Sequence, residues 1–356
     1  MPEMFNIIYE KILHNKTRKE EGKITSIYPP FERLSEKFPG WEKGTYTILT
    51  ASSGVGKTKL TKFLCVTSIY NFCKTYNIRA KIFYFALEES KEEFWISMIS
   101  TLLYEKYGIS MHNSELKSLG KFIISDDILV KIEECKHIID DMEHYFDVID
   151  HIANPYGLYK HVRQWFENPS IGEYEYETKE DGERVIKGYK YVDPDLYVFV
   201  ITDHVSLLTP ENGGSLHEAI GHYSKEYCLK GFCKRFKCAV INVQQQAAEK
   251  EKLEFFQGET VEQKMEPSLD GLANNKETQR DADLVIGLFA PARYNIRTHR
   301  RYDVTRLQDR YRSLKFLKDR NYGLANVYVP LFFDGAANIF KELPPSDQIK
   351  YEDYGC

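Results

Sequence analysis

Residues 46–58 read Tyr46-Thr47-Ile48-Leu49-Thr50-Ala51-Ser52-Ser53-Gly54-Val55-Gly56-Lys57-Thr58, and the fold turns on them. A short apolar β-type run at 46–49 meets a small, flexible stretch at 52–56. Leu60, Phe63, Leu64 and Thr67 then recur on one helical face. Strand, small-residue loop, helix is the context in which Gly-Lys-Thr makes a phosphate-binding loop. Small side chains let successive backbone N–H groups curl around an anion, and the start of the helix adds its positive end. In this pattern Ser53, Gly54, Val55 and Gly56 line the phosphates. Lys57 reaches the β- and γ-phosphates, and the Thr58 hydroxyl is a Mg2+ ligand. Ala51 stands where the common pattern has its first glycine.

Working outward, strand and helix patterns alternate. Residues 81–87 are a second strand rich in Phe and Tyr, and 91–106 and 127–146 are helices. Residues 146–149 are a short strand, followed by a helix at 156–166. The unbroken apolar run at 196–201 is a central buried strand. Further strands are expected at 238–243, 284–289 and 313–317, and a closing hairpin around Asp334-Gly335. This alternation predicts an α/β fold with a mainly parallel central sheet flanked by helices. Residues 173–191 alternate Tyr, Glu and Lys around Asp181-Gly182, which predicts a solvent-exposed inserted β-hairpin.

Phe5, Ile8, Tyr9 and Ile12 fall at helical spacing before a basic stretch at 14–23. That segment reads as a short helix and linker, or as a helix packed on its own domain. The expected organisation is therefore a helix and linker at 1–24 and a nucleotide-binding domain at 25–343, with the hairpin insertion at 172–192. An acidic tail, expected to be mobile, occupies 344–356.

The 356 residues carry a net charge of -5, so nucleic-acid contact is expected in a loop or pore rather than over the whole surface. Seven cysteines without a CxxC pair point to reduced thiols and a cytoplasmic setting. No apolar run is long enough to span a bilayer, and no membrane contact is expected. His217, His222, Cys228, Cys233 and Cys238 recur near every fifth residue. Such steps rotate side chains off a common helical face, so core cysteines rather than a metal cluster are expected.

A phosphate loop needs an acid at the tip of a neighbouring strand to hold magnesium. Asp203, closing the apolar run that ends in Thr202-Asp203, is the candidate, the alternative being a turn aspartate. A second acidic pair, Glu88-Glu89, follows the second strand. Either glutamate is placed to polarise a water as general base, and both are also what an exposed helix start shows.

In order, these pieces resemble the RecA-like motor domain of DnaB-type replicative helicases over residues 25–340. Ala51 to Thr58 is similar to that family's P-loop, which often begins with Ala. Ala86-Leu87-Glu88-Glu89-Ser90 resembles its Ser-Leu-Glu-Met-Ser, which implies a catalytic role for Glu88. Ile201-Thr202-Asp203-His204 resembles Ile-Asp-Tyr, with the Walker B acid at Asp203. Residues 239–245 resemble Pro-Val-Ile-Ala-Leu-Ser-Gln, which implies a γ-phosphate sensor at Gln245, with Gln244 one register away. Thr278 to Asp283 is similar to Ile-Glu-Gln-Asp-Ala-Asp. Lys318-Asp319-Arg320-Asn321 resembles Lys-Gln-Arg-Asn, which implies an arginine finger at Arg320 with Lys318 as companion, both reaching a neighbouring subunit's nucleotide. The family's N-terminal primase-binding domain has no counterpart beyond the first two dozen residues, so the form is similar to a compact phage or plasmid version, in a host cytoplasm.

The resemblance implies an ATP- and Mg2+-dependent helicase that moves on single-stranded DNA as a homo-oligomeric, hexameric ring with replication proteins as partners. A RadA/RecA-like recombination ATPase and a non-translocating, nucleotide-gated DNA-binding or loading module are the alternatives. DNA contacts are expected in loops 209–215 and 246–275, the second with Lys250, Lys252 and Lys264, and at Lys276 just beyond it. The seven arginines from Arg293 to Arg312 read as a solvated loop, with a phosphate contact or a subunit contact as the alternatives.

Overall fold

The computed structural model describes residues 3–179, 181–211, 213–247 and 260–355. The strands are β1 (Tyr46–Ala51), β2 (Ala80–Ala86), β3 (Phe146–Ile149), β4 (Gly172–Thr178), β5 (Arg184–Tyr191), β6 (Tyr197–Asp203) and β7 (Ala239–Gln245). They continue with β8 (Leu284–Phe289), β9 (Thr298–His299), β10 (Tyr302–Asp303), β11 (Tyr311–Asp319), β12 (Tyr328–Asp334) and β13 (Ile339–Glu342). Nine of these form one sheet in the order β13-β12-β11-β8-β1-β7-β6-β2-β3. From β8 to β3 the neighbours run parallel, whereas β11, β12 and β13 add an antiparallel flank. The fold is thus the expected RecA-like α/β one, a mainly parallel sheet with helices on both faces.

The buried strands explain the apolar runs. Every residue of β1, β6 and β8 is buried, because helices cover both faces of the parallel region. One face carries the core of Leu60, Leu64, Phe94 and Met98, from the helix that starts at Lys57 and the helix Lys91–Tyr107. The other carries Leu158, Val162, Tyr223 and Phe232, from the helices Pro155–Phe166 and Tyr223–Arg235. Cys228, Cys233 and Cys238 are buried in this second core. The Lys91–Tyr107 helix starts cleanly because the Ser90 hydroxyl accepts the Glu93 N–H at 3.2 Å.

Two expectations change. The N-terminal helix is longer than its apolar spacing suggested, running over Glu3–Glu20 and absorbing most of the expected linker. It does not pack on its own domain: Met4, Phe5, Ile8, Tyr9, Ile12 and Leu13 are exposed, and its far end is tied down by Arg18, which pairs with Asp195. The 344–356 tail is docked rather than mobile over its described residues. Glu352 pairs with Arg306 at 2.8 Å, the Asp303 N–H donates to the Tyr351 hydroxyl at 2.8 Å, and the Tyr354 ring meets Phe332. Charge masked the aromatic content of that tail in the sequence. The helix Asp126–Tyr145 packs on the first core, with Met142 buried in it and Ile138 and Ile139 half-buried against it.

The inserted hairpin β4–β5 has an exposed tip and an anchored base. Tyr189 is buried, meets Phe166 edge to face at 5.0 Å and donates its hydroxyl to the Phe166 carbonyl at 2.8 Å. The anchoring Phe236 also packs flat on Phe166 at 4.2 Å. Truncating the ring leaves a cavity and an unbonded carbonyl, so Tyr189→Ala should lower the unfolding free energy by roughly 3 kcal/mol. A urea titration monitored by tryptophan fluorescence measures this. No change would mean that the hairpin contributes nothing to the core.

Candidate nucleotide site

The site lies along the carboxyl edge of the parallel strands, where open α/β sheets bind ligands. Register brings its parts together. Ala51, which ends β1, pairs with Gln245 at the end of β7, and Ala86, two residues before Glu88, pairs with Asp203 at the end of β6. Side chains scattered over 200 residues of sequence therefore meet at the tips of four adjacent strands.

The phosphate loop leaves β1 at Ala51 and enters the helix at Lys57. Its two sharp bends fall at Gly54 and Gly56, with φ of 70° and 107°, a left-handed conformation that a side chain would strain. Gly56 is also closed in from the side, since a Cβ there would lie 3.3 Å from the Phe333 ring. Val55 is buried while Ser53 and Gly54 are exposed, so the loop is rooted at one side and open at the other. Lys57 meets no carboxylate among the described residues.

Thr58, Glu88 and Asp203 converge. The Thr58 hydroxyl lies 3.2 Å from a Glu88 carboxylate oxygen and 3.4 Å from an Asp203 oxygen. The other Asp203 oxygen accepts from the Tyr84 hydroxyl at 2.9 Å. Asp203 is 2% exposed, and burial pushes its carboxyl up to about 6, with Glu88 and Glu89 adding repulsion against the Tyr84 bond. A buried oxygen pair with no described cation bonded to it, next to a threonine hydroxyl, fits the hard oxygen-ligand set that Mg2+ takes. Asp203 and Thr58 would hold the ion, and it would offset the charge of bound phosphates there.

The two glutamates separate. Glu89 is occupied by Lys62, which pairs with it at 2.6 Å and donates to Ser97 at 2.9 Å. Glu88 keeps half of its side chain exposed and faces the Thr58 hydroxyl. His204 stands 3.9 Å from Glu88, and burial, then the nearby Lys57, lowers its imidazole, favouring the neutral form. The three glutamines separate as well. Gln244 is tied to the Ala273 and Asn275 carbonyls at 2.8 Å each, and Gln246 to the Thr50 hydroxyl at 2.9 Å. Gln245 is half-buried between them and bonds to no described side chain.

Lys318 and Arg320 do not join this cluster. They sit at the end of β11 beside the start of β8, where Arg320 pairs with Asp283 at 3.3 Å and Lys318 donates to the Ala282 carbonyl at 2.8 Å. Asp283 in turn accepts the Tyr46 N–H at 3.0 Å, which places the pair level with the first residue of β1. Five strand steps of about 3.3 Å separate that edge from the loop at Ala51, roughly 16 Å. Burial, then Arg320 beside it, lowers the Lys318 ammonium.

Two residues of the arginine stretch belong to the site instead of to a solvated loop. Arg312 is 2% exposed and lies beneath the phosphate loop, where it donates to the Val55 carbonyl at 2.9 Å. Its own place is fixed by Asp309 at 3.1 Å and by the Phe333 ring beneath the guanidinium at 4.5 Å. Arg293 donates to the Ser53 carbonyl. Arginine density hid them, and the strand expected at 313–317 began one residue after Arg312. A further hub is Glu266, which binds Lys315 at 2.6 Å and His299 at 3.2 Å. Burial would raise its carboxyl, but these bonds outweigh it and hold the group down at about 2.

Of the loops expected to contact DNA, residue 212 and residues 248–259, including Lys250 and Lys252, lie outside the described residues. Lys264 stands in the short helix Val261–Met265.

With this geometry in place, comparison with solved structures gives a consistent answer. The ATPase domain of G40P superposes with a TM-score of 0.67 at 19% identity, over 96% of this chain and 98% of that one. The fold is that of a helicase ATPase domain. A DnaB-like replicative helicase, described with its interactions with primase, gives a TM-score of 0.66 at 17% identity, over 94% of this chain and 67% of that one. At such identities the likeness is one of fold. No protein-family model matches the chain, and no curated protein matches it by sequence. No described helix is long and apolar enough to cross a membrane.

Asp203 gives a direct test of the site. Its folded-state value lies above the ordinary 3.8, so the destabilisation is absent in acid, grows as pH rises from 3.8 to about 6, and is complete above that. At neutral pH the buried charge costs the metal-free protein on the order of 2–3 kcal/mol. Asp203→Asn should therefore melt higher than wild type in chelator at neutral pH, lose that advantage in acid, and gain nothing from Mg2+ with nucleotide. Thermal melts across pH, with and without Mg2+, read all three.

Proposed function

We propose that this chain is an ATP-driven DNA helicase motor that works as a ring of identical subunits, a hexamer by its resemblance, moving along single-stranded DNA in replication. ATP and Mg2+ are the cofactors of this reading. The observation that carries it is a separation. Thr58, Glu88, Asp203 and Gln245 gather around the Lys57 loop, while Lys318 and Arg320 sit about 16 Å away at the opposite edge of the sheet. At that distance Arg320 does not reach its own chain's nucleotide, which supports a role for the basic pair on a neighbour's nucleotide.

The roles follow from the contacts. Lys57 and the loop N–H groups bind the phosphates. Glu88, free of the ion pair that occupies Glu89, accepts the proton of the attacking water. Gln245, its amide not engaged by other described side chains, reads the γ-phosphate and lies at the end of the strand that leads into the 246–275 loop. Arg320 of a neighbouring copy offsets the charge that develops on the transferred phosphoryl group, with Lys318 beside it. The six apolar side chains exposed between Met4 and Leu13 support association with a second copy. Loops 209–215 and 246–275 would track DNA phosphates, a sequence-independent grip. Replication proteins as partners, and a cytoplasmic setting, rest on the resemblance.

Arg320→Ala should bind ATP as wild type does and lose hydrolysis by about a thousandfold or more. Mixing it with Lys57→Ala should restore part of the activity, because Arg320 of one variant then faces the Lys57 loop of the other. A fully active Arg320→Ala protein, or mixtures with no recovery, would sink the shared site. Strand displacement on a forked duplex separates a motor from a nucleotide-gated binding module, and electron micrographs separate a ring from a filament.

A further inference from the structure

We propose that Arg293 is a nucleotide ligand supplied by the same chain as Lys57, and that its guanidinium binds the terminal phosphate of a nucleoside triphosphate. This deepens the motor reading and rests on it. Arg293 stands in the short helix Pro291–Tyr294 that follows β8, the strand beside β1 on the side away from β7. Its Nη1 donates to the Ser53 carbonyl and lies 3.3 Å from the point where a Cβ on Gly54 would stand. Ser53 and Gly54 form the exposed outer turn of the phosphate loop, and Arg293 is itself exposed. The base of the side chain is fixed, since Pro291 is buried and the Tyr294 ring stacks on Phe289 at 5.8 Å.

An arginine on a loop carbonyl is a brace or a ligand waiting for its anion, and three observations favour the ligand. The loop already has a brace in Arg312, which is buried, held by Asp309 and Phe333, and bonded to the Val55 carbonyl. Arg293 has no such support, and among the described residues it meets no carboxylate. Its present partner is a neutral oxygen. A guanidinium–phosphate pair is charge-assisted, can be bidentate, and is roughly twice as strong as a bond to a neutral acceptor. Phosphates settling on the loop N–H groups would therefore draw the guanidinium off the Ser53 carbonyl. The terminal phosphate is the strongest competitor because it carries the densest charge. Gly54 keeps the approach open, since any side chain there would press on the guanidinium.

The test uses the full chain with Mg2+ and two probes, ADP and a non-hydrolysable ATP analogue, titrated by fluorescence. Wild type and Arg293→Ala are compared, with Arg293→Lys as the conservative variant. The expected result is about a tenfold weaker affinity of Arg293→Ala for the triphosphate, as for loss of one charge-assisted contact, with ADP changed less than twofold. Arg293→Lys should recover part of the loss. Equal weakening of both probes would make Arg293 a brace of the loop, and no weakening would make it a surface residue; either overturns the proposal. Failure of wild-type protein to bind either probe would instead overturn the motor reading beneath it.

Discussion

A buried carboxylate waiting for positive charge organises this molecule. Asp203 is enclosed at the tip of β6, bonded on one side by Tyr84 and facing Thr58 on the other. Burying an ionised oxygen pair without a cation is costly, and the raised value of its acid form is the sign of that cost. The arrangement persists because the sheet over-determines it: β6 lies between β2 and β7 with every residue buried, and its register with β2 fixes where the carboxylate emerges. The loop geometry, the pairing of Glu89 with Lys62 and the exposure of Glu88 all fall around this one charge.

A second constraint is the length of a strand. β11 is antiparallel to β8 and carries Arg312 near one end and Lys318 near the other. Arg312 roots the phosphate loop of its own chain, Lys315 in mid-strand binds the Glu266 hub, and Lys318 with Arg320 stands at the far edge. One rigid element thus spans from the nucleotide loop to the basic pair and meets the 246–275 loop at Glu266 on the way. The bulge between Phe316 and Lys318 is the only irregularity in its described pairing with β8.

Much of this was legible in the residues. The strand at 284–289 coincides with its apolar run, because a parallel strand buried on both faces leaves an unbroken hydrophobic signature. The phosphate loop was legible because its chemistry is local, small residues followed by Gly-Lys-Thr. The docking of the tail was not, since Tyr351 and Tyr354 sit among acids and prolines and their partners Asp303 and Phe332 lie far back in the chain. Composition and spacing left Glu88 and Glu89 level and only the resemblance pointed to Glu88; the physical difference between them depends on Lys62, which approaches from a different helix.

The sequence by itself determined the class of fold and the location of the phosphate loop, since both rest on periodicity and on short-range backbone requirements that a linear pattern records. Tertiary structure alone decided which acid is free, which glutamine amide is disengaged, that Arg312 is a buried root and Arg293 an exposed neighbour of the loop, and that Arg320 stands across the sheet from Lys57. Those distinctions are matters of which side chains meet across 20 to 250 residues of chain, and strand register, set by packing on both faces of the sheet, is what settles them.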